Sequence, residues 1–155
     1  MDFSIRLAKQ DDLETIADIY YRSITELCAS AYPADIIARW RLSKTAESRA
    51  DQVMNRSLWV AESDTGVVGF LHVLEGEIVA LFVDPAVAGK GVGNALINLG
   101  IEKSARPGLP IKVESTLNAV GFYQSYGFVE QRSSVYSHGQ NEFDITVIEM
   151  LRAPD

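Results

Sequence analysis

The sequence predicts a mixed α/β fold, in which helices cover both faces of a central sheet. Segments that alternate apolar and polar residues, as half-buried strands do, are interspersed with segments whose apolar residues recur at helical spacing. The run EIVALFVD, residues 77–84, is almost continuously apolar, which is typical of a central strand buried on both faces. The predicted order is strand, helices, three strands, helix, strand, helix and two strands.

The first third of the chain is predicted to form one strand and a series of helices. Residues 3–8 alternate like a strand, and Asp11 and Asp12 then offer an N-cap and acidic residues for a first helical turn. Apolar side chains follow at helical spacing: Leu13, Ile16, Ile19, Tyr20, Ile24 and Leu27. Pro33 stands near the start of a second helix, and the polar stretch 43–56 is predicted to be helical as well.

The remaining elements are predicted from strand patterns and turn signals. Strands are predicted at residues 57–63, 67–76, 109–115, 128–137 and 142–151. A glycine-rich stretch after the central strand leads into a helix that ends near Ser104, and AVGFYQSYG, residues 119–127, predicts a short helix that a glycine stops. The last two strands flank HGQN, residues 138–141, which has the composition of a hairpin turn.

Length and composition exclude several protein classes. A chain of 155 residues is predicted to fold as one domain over residues 1–155, and its 47% hydrophobic and 23% charged residues are the balance of an ordinary globular protein. No apolar stretch approaches the roughly 20 residues of a membrane span, and the N-terminal MDFSIRLAKQ lacks the apolar segment of a signal peptide. These features predict a cytoplasmic protein with no membrane partner.

The charge and the cysteine count narrow the choice of partners further. With 14 basic against 21 acidic residues, the net charge of −7 disfavours nucleic acid as a partner. The single cysteine, Cys28, excludes an internal disulfide framework and a CxxC metal site, and no metal is expected. On the first predicted helix, Cys28 is expected to be a small buried hydrophobe.

The stretch VDPAVAGKGVGNAL, residues 83–96, places glycines at three alternate positions between a strand and a helix. A dinucleotide-binding G-x-G-x-x-G pattern fails because its third glycine would fall at Asn94. A P-loop fails because Gly91 stands where the magnesium-binding serine or threonine would follow Lys90. What remains is a glycine-rich turn that opens a helix, where backbone N–H groups and the helix dipole favour an anion.

This stretch resembles the acetyl-CoA signature of the GNAT superfamily of N-acetyltransferases. The usual form is a strand that ends V-x-P, followed by [Q/R]-G-x-G-[I/V]-G-x-x-L-[I/L]. The matching residues are Val83, Pro85, Gly89, Gly91, Val92, Gly93, Leu96 and Ile97. The departure is Ala88, which replaces a glutamine or arginine that contacts the pyrophosphate, although Lys90 can restore some of that charge.

A second stretch, AVGFYQSYGF, resembles the family's A-x-x-F-Y-x-x-x-G-F. The residues in register are Ala119, Phe122, Tyr123, Gly127 and Phe128. The predicted order of elements also matches the family fold, a central mixed and mostly antiparallel sheet flanked by helices on both faces. The segment IYYRSITELCASAYPADIIARW is similar to that of a bacterial subgroup of uncharacterised GNAT proteins.

The resemblance implies a site for acetyl-CoA. The backbone N–H groups of about residues 88–93 would hold the pyrophosphate, and the splayed end of the central strand would pair with the pantetheine arm and supply an oxyanion donor. The cofactor-binding residues that it implies are Leu81, Phe82, Val83, Ala88, Gly89, Lys90, Gly91, Val92, Gly93, Asn94, Asn118, Phe122 and Tyr123. Asn118 is offset from the family's usual asparagine, which would fall at Thr116.

The resemblance also implies direct acetyl transfer to an amine, without an acyl-enzyme. Tyr123 matches the tyrosine that lies near the CoA sulfur and acts as a general acid, and Glu77 stands where some members have the base, acting directly or through water. The interpretation that Glu77 is only a solvated charge at the end of a strand carries equal weight. Glu75, Glu114 and His72 are other candidate bases.

The resemblance further implies that the acceptor lies between the first two helices and the last pair of strands. The residues implicated are Tyr20, Tyr21, Ser23, Tyr32, Trp40, Tyr136 and His138. Such an aromatic groove in an acidic protein suits a small cationic amine or a peptide amine, and a homodimer is possible. Two alternatives stay open, a catalytically silent CoA-binding module, which Ala88 permits, and an unrelated protein that binds a phosphate ligand.

Overall fold

The computed structural model describes residues 1–138 and 143–155, and these residues form one seven-stranded sheet in the order β1-β2-β3-β4-β5-β7-β6. The strands are β1 (Phe3–Leu7), β2 (Leu58–Ser63), β3 (Gly66–Leu74), β4 (Glu77–Val83), β5 (Ile111–Ser115), β6 (Phe128–His138) and β7 (Phe143–Arg152). Neighbouring strands are antiparallel except for β4 and β5, which are parallel. The predicted mixed, mostly antiparallel sheet is confirmed, while the predicted turn at residues 138–141 lies outside the described residues.

Helices cover both faces of the sheet, as predicted. They are α1 (Leu13–Leu27), α2 (Ala34–Trp40), α3 (Ala50–Met54), α4 (Val92–Ser104) and α5 (Val120–Gln124). On one face α1 and α2 pack on the sheet through a core that includes Ile16, Ile19 and Ile24, all fully buried. On the other face Leu96 and Ile97 of α4 fill a second core. Among the described residues, no helix is long and apolar enough to span a bilayer.

The start of α1 differs from the prediction, because Asp12 does not cap the helix with its side chain. Its carboxylate instead accepts hydrogen bonds from Arg6 at 2.8 Å and from the amide of Lys9 at 2.8 Å. The hydrogen bond from Arg6 lowers the pKa of Asp12. This ion pair joins β1 to the beginning of α1, so the acidic residue serves the tertiary structure.

The polar stretch 43–56 was predicted to be helical from its composition, but it does not form one helix. Within it lie a 3-10 turn, Glu47–Arg49, and the short α3. The Ser43 hydroxyl donates to the carbonyl of Trp40 at 2.6 Å and shares a hydrogen bond with the Tyr20 hydroxyl at 3.0 Å. Such local bonds between side chain and backbone compete with helix formation, so the chain turns after α2.

Strand β4 contains a β-bulge that the apolar run does not reveal. His72 of β3 pairs with Ala80 and Val73 pairs with Ile78, so Val79 is the extra residue. The ladder to β5 also ends here, since Ile78 is the last residue of β4 that pairs with that strand. Past the bulge β4 therefore diverges from β5, and one edge of its backbone is left without a strand partner.

The bulge also sets which face each side chain of β4 occupies. Ala80 and Phe82 pack with the core beneath α1 and α2. Leu81 and Val83 pack with the core beneath α4. The two sides of this one strand therefore face two different compartments of the protein.

Candidate active site

The end of β4 is fastened to helix α1. The Ser23 hydroxyl donates a hydrogen bond to the Val83 carbonyl at 2.9 Å. The next residue, Asp84, forms an ion pair with Arg22, whose guanidinium holds the pKa of that carboxyl below its usual value. Asp84 also accepts a hydrogen bond from the amide of Ala86 at 3.0 Å and so caps the turn that follows. The glycine-rich loop therefore leaves the sheet from a fixed point.

Two of the three alternate glycines adopt a backbone conformation that side chains rarely allow. Gly89 has φ +78°, and Gly91, which precedes α4, has φ +89°. A Cβ atom at either position would meet no protein atom within 4 Å. The backbone conformation therefore requires glycine at both positions, and the space beside them is open to a ligand.

The loop and the first turn of α4 carry a row of unused backbone donors. The amides of Ala88 and Lys90 donate to carbonyls within the turn, both at 3.3 Å. Within the described part of the chain, five nearby amides have no acceptor: Gly89, Gly91, Val92, Gly93 and Asn94. Of residues 88–93, where the anion site is expected, four therefore have a free amide, and together with Asn94 they stand at the positive end of a 13-residue helix.

A first cavity, of about 180 Å³, lies beside this loop. Its lining combines the end of β4, the start of α4, the C-terminal part of α1 and the segment around α5: Ser23, Leu27, Cys28, Leu81, Phe82, Val83, Gly93, Thr116, Asn118, Ala119, Phe122 and Tyr123. Residues of both predicted signatures therefore come together in one compartment. The wall is largely apolar, as a narrow arm of a ligand would require.

Tyr123 is buried in this cavity, with 6% of its surface exposed. Its ring packs edge-on against Phe122 and Phe128, with centroids 5.2 Å and 5.7 Å away. Burial raises the pKa of its hydroxyl above the usual 10, so the group stays protonated at neutral pH. No described residue accepts a hydrogen bond from this hydroxyl, which leaves its proton available to a ligand.

A second cavity, of about 310 Å³, lies on the α1 and α2 side of β4. It is lined by Tyr20, Trp40, Lys44, Arg49, Gln52, His72, Glu77, Val79, Ala80, Phe82, Glu114, Thr116, Tyr136, Ile145 and Val147. Phe82 and Thr116 line both cavities. The two cavities therefore meet where β4 diverges from β5. The glycine-rich loop lies beside the first cavity, and titratable side chains line the second.

This arrangement of bulged strand, glycine loop and paired cavities agrees with the family comparison. The family model for the acetyltransferase (GNAT) domain matches residues 28–147. The chain belongs to the GNAT acetyltransferase family. The resemblance identified from the two signatures is thereby confirmed, and the acetyltransferase is an acyltransferase enzyme, as predicted.

Relatives of known name and structure share this fold over nearly the whole chain. The acetyltransferase is 32% identical over 146 residues to peptidyl-lysine N-acetyltransferase YjaB of Salmonella typhimurium, covering 90% of this chain and 93% of the relative. It is 26% identical to Escherichia coli YjaB in its apo-form solution structure, with a TM-score of 0.70 and full coverage of both chains. A GCN5-related N-acetyltransferase structure from Rhodopseudomonas palustris has a TM-score of 0.87 at 24% identity, over 99% of this chain and 96% of that one.

Several predicted acceptor residues lie outside the second cavity of the acetyltransferase. The Tyr32 hydroxyl donates to the carbonyl of Thr146 at 2.7 Å and accepts from an amide at 3.0 Å, so it has a structural role. Tyr21 faces the guanidinium of Arg41, 5.0 Å from its ring centroid, and Ser23 lines the first cavity instead. Tyr20, Trp40 and Tyr136 do line the second cavity, while the side chain of His138 lies outside the described part of the structure.

Three polar residues near the first cavity have defined surroundings. Cys28 is free and buried, as predicted, and burial raises the pKa of its thiol to about 11, an effect that a hydrogen bond with Asn118 opposes. Asn94 is exposed on α4 and accepts a hydrogen bond from the Tyr126 hydroxyl. The neighbouring Val92 buries its side chain in the core, so it offers only its amide to a ligand.

The four candidate bases differ in position and basicity. Glu75 is exposed in the turn before β4 and does not line the second cavity, and Glu114 is paired with Lys112 at 3.1 Å. Burial lowers the pKa of His72 to about 4, helped by nearby cations, whereas burial raises the pKa of Glu77 above its usual 4.5. Burial thus makes Glu77 more basic than an ordinary carboxylate and His72 less basic than an ordinary imidazole, and Glu77 is unpaired among the described residues.

The sequence analysis missed three polar residues that line the second cavity: Lys44, Arg49 and Gln52. They come from the stretch that was assigned to a polar helix. A signal was present, because Ala46, Ala50 and Val53 share the helical spacing of Arg49 and pack against the core. An arginine within an apolar stripe indicates a side chain that points inward.

Proposed function

We propose that this GNAT family member transfers the acetyl group of acetyl-CoA to a primary amine by direct attack of the amine. The observation that supports this proposal is the meeting of two cavities at the diverging end of β4. The lining of one cavity includes Tyr123 and Gly93, whose amide is free, and the lining of the other includes Glu77. A donor and an acceptor can thus enter from opposite sides and react at the boundary that Phe82 and Thr116 share.

The residues on the loop side fit coenzyme A. The free amides at the start of α4 would bind the pyrophosphate, and the apolar first cavity would take the pantetheine arm. The free edge of β4 at residues 81–83 would hydrogen-bond that arm, and one of its amides would donate to the oxygen that gains charge. When bound, acetyl-CoA supplies the thioester carbonyl that the amine attacks and the thiolate that leaves. A relative in fold, the PaiA N-acetyltransferase of Thermoplasma acidophilum, has been solved in complex with coenzyme A.

Glu77 is the proposed base, acting on the amine directly or through one water molecule. Its carboxylate lines the second cavity, which we call the acceptor cavity, and its raised pKa brings its basicity closer to neutral pH. Tyr123 is the proposed acid at the leaving sulfur. Because its pKa is raised by burial, it holds its proton until the sulfur becomes negative.

Replacing Glu77 by glutamine is expected to lower kcat/KM for the amine about 100-fold, since a positioned base contributes on that scale. In the wild type, kcat/KM should rise with pH through the pKa of Glu77, which lies above its ordinary 4.5, because only the unprotonated carboxylate accepts a proton. Glu77→Gln should lack that limb. Steady-state kinetics across pH measure both effects.

The matched control is Glu75→Gln, which removes an exposed carboxylate from the turn just before β4. It should leave the rate and the pH profile unchanged. If Glu77→Gln also keeps the rate and the acid limb of the wild type, the base is another group.

Replacing Ala88 by arginine is expected to tighten CoA binding by roughly 1 kcal/mol, or about fivefold, through a charge-assisted contact with phosphate. Ala88 is exposed beside the free amides, so a longer side chain can be placed there without displacing the core. Calorimetry with CoA measures the change. Ala105→Arg, at the far end of α4, adds the same charge without that contact and should have no effect. No gain at Ala88 would indicate that Lys90 or another cation already fills this role.

The acceptor class is proposed as a small amine or a peptide amine. YjaB and YiaC of Escherichia coli, 31% and 29% identical, are both named peptidyl-lysine N-acetyltransferases. A lysine side chain within a peptide is therefore included beside small amines. Release of free CoA thiol from acetyl-CoA over a library of amines and lysine peptides tests the proposed function.

A catalytically silent CoA-binding module is the second candidate, and Ala88 is the observation that favours it. Thermal shift with acetyl-CoA, CoA and ATP separates the possibilities. Stabilisation by the CoA species alone supports both CoA-based functions, and thiol release then distinguishes the enzyme from the module. An equal response to ATP would favour a general phosphate-binding protein.

Some expectations from the sequence stay predictions. They concern a single domain over residues 1–155, a cytoplasmic location, a homodimer, and partners that include neither nucleic acid nor membranes. Metal-independent transfer also stays a prediction.

A further inference from the structure

The acceptor cavity contains a buried arginine that has no charge partner among the described residues. Arg49 is 4% exposed, and its Nη1 donates to the Gln52 side chain at 3.1 Å. Its Nε is buried and has no hydrogen-bond partner, and no carboxylate of the described chain forms an ion pair with it. The guanidinium lies 4.9 Å from the ring centroid of Phe70 and 5.6 Å from that of Tyr20.

Such an arginine is energetically incomplete. Its guanidinium has five N–H donors and does not lose its proton in proteins. Contacts with two aromatic rings offset about 0.5–2 kcal/mol each, which is less than the desolvation of a buried charge. An anion bound to the guanidinium would supply the remaining stabilisation, and the planar guanidinium suits a carboxylate in particular.

A second cation lies at the same end of the cavity. Lys44 is half-buried and lines it, and burial together with Arg49 lowers the pKa of its ammonium. Burial, together with the charges of both cations, lowers the pKa of His72 to about 4, so its imidazole is neutral at pH 7. This end of the cavity therefore carries the positive charges of Lys44 and Arg49.

Acidic side chains line another part of the same cavity. Glu77 and Glu114 line it beside the point where β4 diverges from β5. Glu77 pairs with Leu74 at the start of β4, whereas Arg49 packs on Phe70, which pairs with Phe82 near the end of that strand. The acidic and the basic groups of the acceptor cavity therefore lie at different places along β4.

We propose that the amine acceptor itself carries a carboxylate, which binds Arg49 and Lys44 while its amine faces Glu77. This inference rests on the proposed acetyltransferase function and specifies its substrate class. A cavity of about 310 Å³ suits an amino-acid-sized molecule that has both groups. The carboxylate can belong to a free amino acid or to an acidic residue beside the amine in a peptide. The purely cationic amine expected from the acidic composition is a poorer match, because it would place a second positive charge beside Arg49.

The test compares acceptors that differ only in this charge. Free L-amino acids are assayed against the corresponding amino-acid amides, and lysine peptides with a neighbouring glutamate against the same peptides with glutamine. Release of CoA thiol gives kcat/KM for each pair. The acid should exceed the amide by about tenfold or more, the scale of a hydrogen bond to a charged group. The pair that shows the preference, free amino acids or lysine peptides, identifies the source of the carboxylate.

Variants assign the preference to the positive end of the cavity. Arg49→Gln and Lys44→Gln should each lower kcat/KM for the acid and bring it close to that for the amide. Lys44→Gln is the safer variant for folding, since Lys44 is only half-buried. Arg41→Gln is the matched control, because Arg41 also has a buried, unpartnered Nε and stacks on a tyrosine but does not line the cavity. It should keep the preference of the wild type.

Binding measurements separate failure of the inference from failure of the proposed function. Calorimetry of the CoA-bound protein with the same acids and amides reports the carboxylate site whether or not acetyl transfer occurs. Acids that bind but are not acetylated would leave the anion site standing and overturn the enzymatic function. Amides that bind and react as well as acids would overturn the anion site alone. A preference for acids that survives both Arg49→Gln and Lys44→Gln would also overturn it.

Discussion

Replacing Gly91 by valine is expected to weaken CoA binding by about 100-fold or more, which corresponds to roughly 2.7 kcal/mol. Gly91 has φ +89°, a conformation that a β-branched residue resists, and its amide is one of the free donors before α4. A valine side chain would also enter the open space where a phosphate would approach the backbone. Calorimetry of the folded variant with CoA measures the loss.

Gly108→Val is the matched control for backbone strain. Gly108 has φ +72°, and a Cβ atom there would also meet no protein atom within 4 Å, but it lies in the loop between α4 and β5. Both variants should lose comparable stability, of the order of 1–3 kcal/mol for a strained residue. Only Gly91→Val should lose CoA. Unchanged CoA affinity in Gly91→Val would reject the assignment of the loop.

Replacing Tyr123 by phenylalanine is expected to lower kcat about 100-fold while CoA affinity is preserved, because only a hydroxyl is removed. The loss should appear in kcat more than in KM, since the proton is needed as negative charge develops on the leaving sulfur. The difference should shrink at low pH, where solvent supplies the proton more readily. Steady-state kinetics on the best acceptor, over about pH 6 to 9, measure these effects.

The pKa of Tyr123 sharpens this test. Burial raises it above 10, so Tyr123 does not titrate in the assay range, and any limb of the wild-type profile belongs to another group. Tyr21→Phe is the matched control, because the Tyr21 ring stacks with Arg41 and lines neither cavity. If kcat of Tyr123→Phe stays within about threefold of the wild type at every pH, Tyr123 only packs and the acid is water or another residue.

The sequence was sufficient to predict the fold and the glycine-rich turn before α4 because their signals are local. Alternating strands, amphipathic helices and turn residues each leave a pattern within a few positions. Gly89 and Gly91 were recognisable for the same reason, since positive φ angles restrict the residue type. The two family signatures then placed both ends of the first cavity.

The bulge and the acceptor cavity were not predictable in the same way. An extra residue within a continuously apolar strand, Val79, leaves no mark on the pattern, although it decides which side chains face which cavity. Tyr32 was assigned to the acceptor from the groove that the family fold implies, but its hydroxyl is used by distant backbone groups. The apolar spacing around Arg49 indicated its burial, but its packing on Phe70, far away in the chain, left no signal in the sequence.

Helix α1 contributes side chains to the lining of both cavities. Tyr20 lines the second cavity and Ser23 the first, while Arg22 ties the same helix turn to Asp84 at the start of the loop. Under the proposed function, a shift of this helix would therefore affect both ligands at once. Because coupling free energy is reciprocal, whatever change in affinity the coenzyme imposes on the acceptor through α1, the acceptor returns to the coenzyme in equal measure.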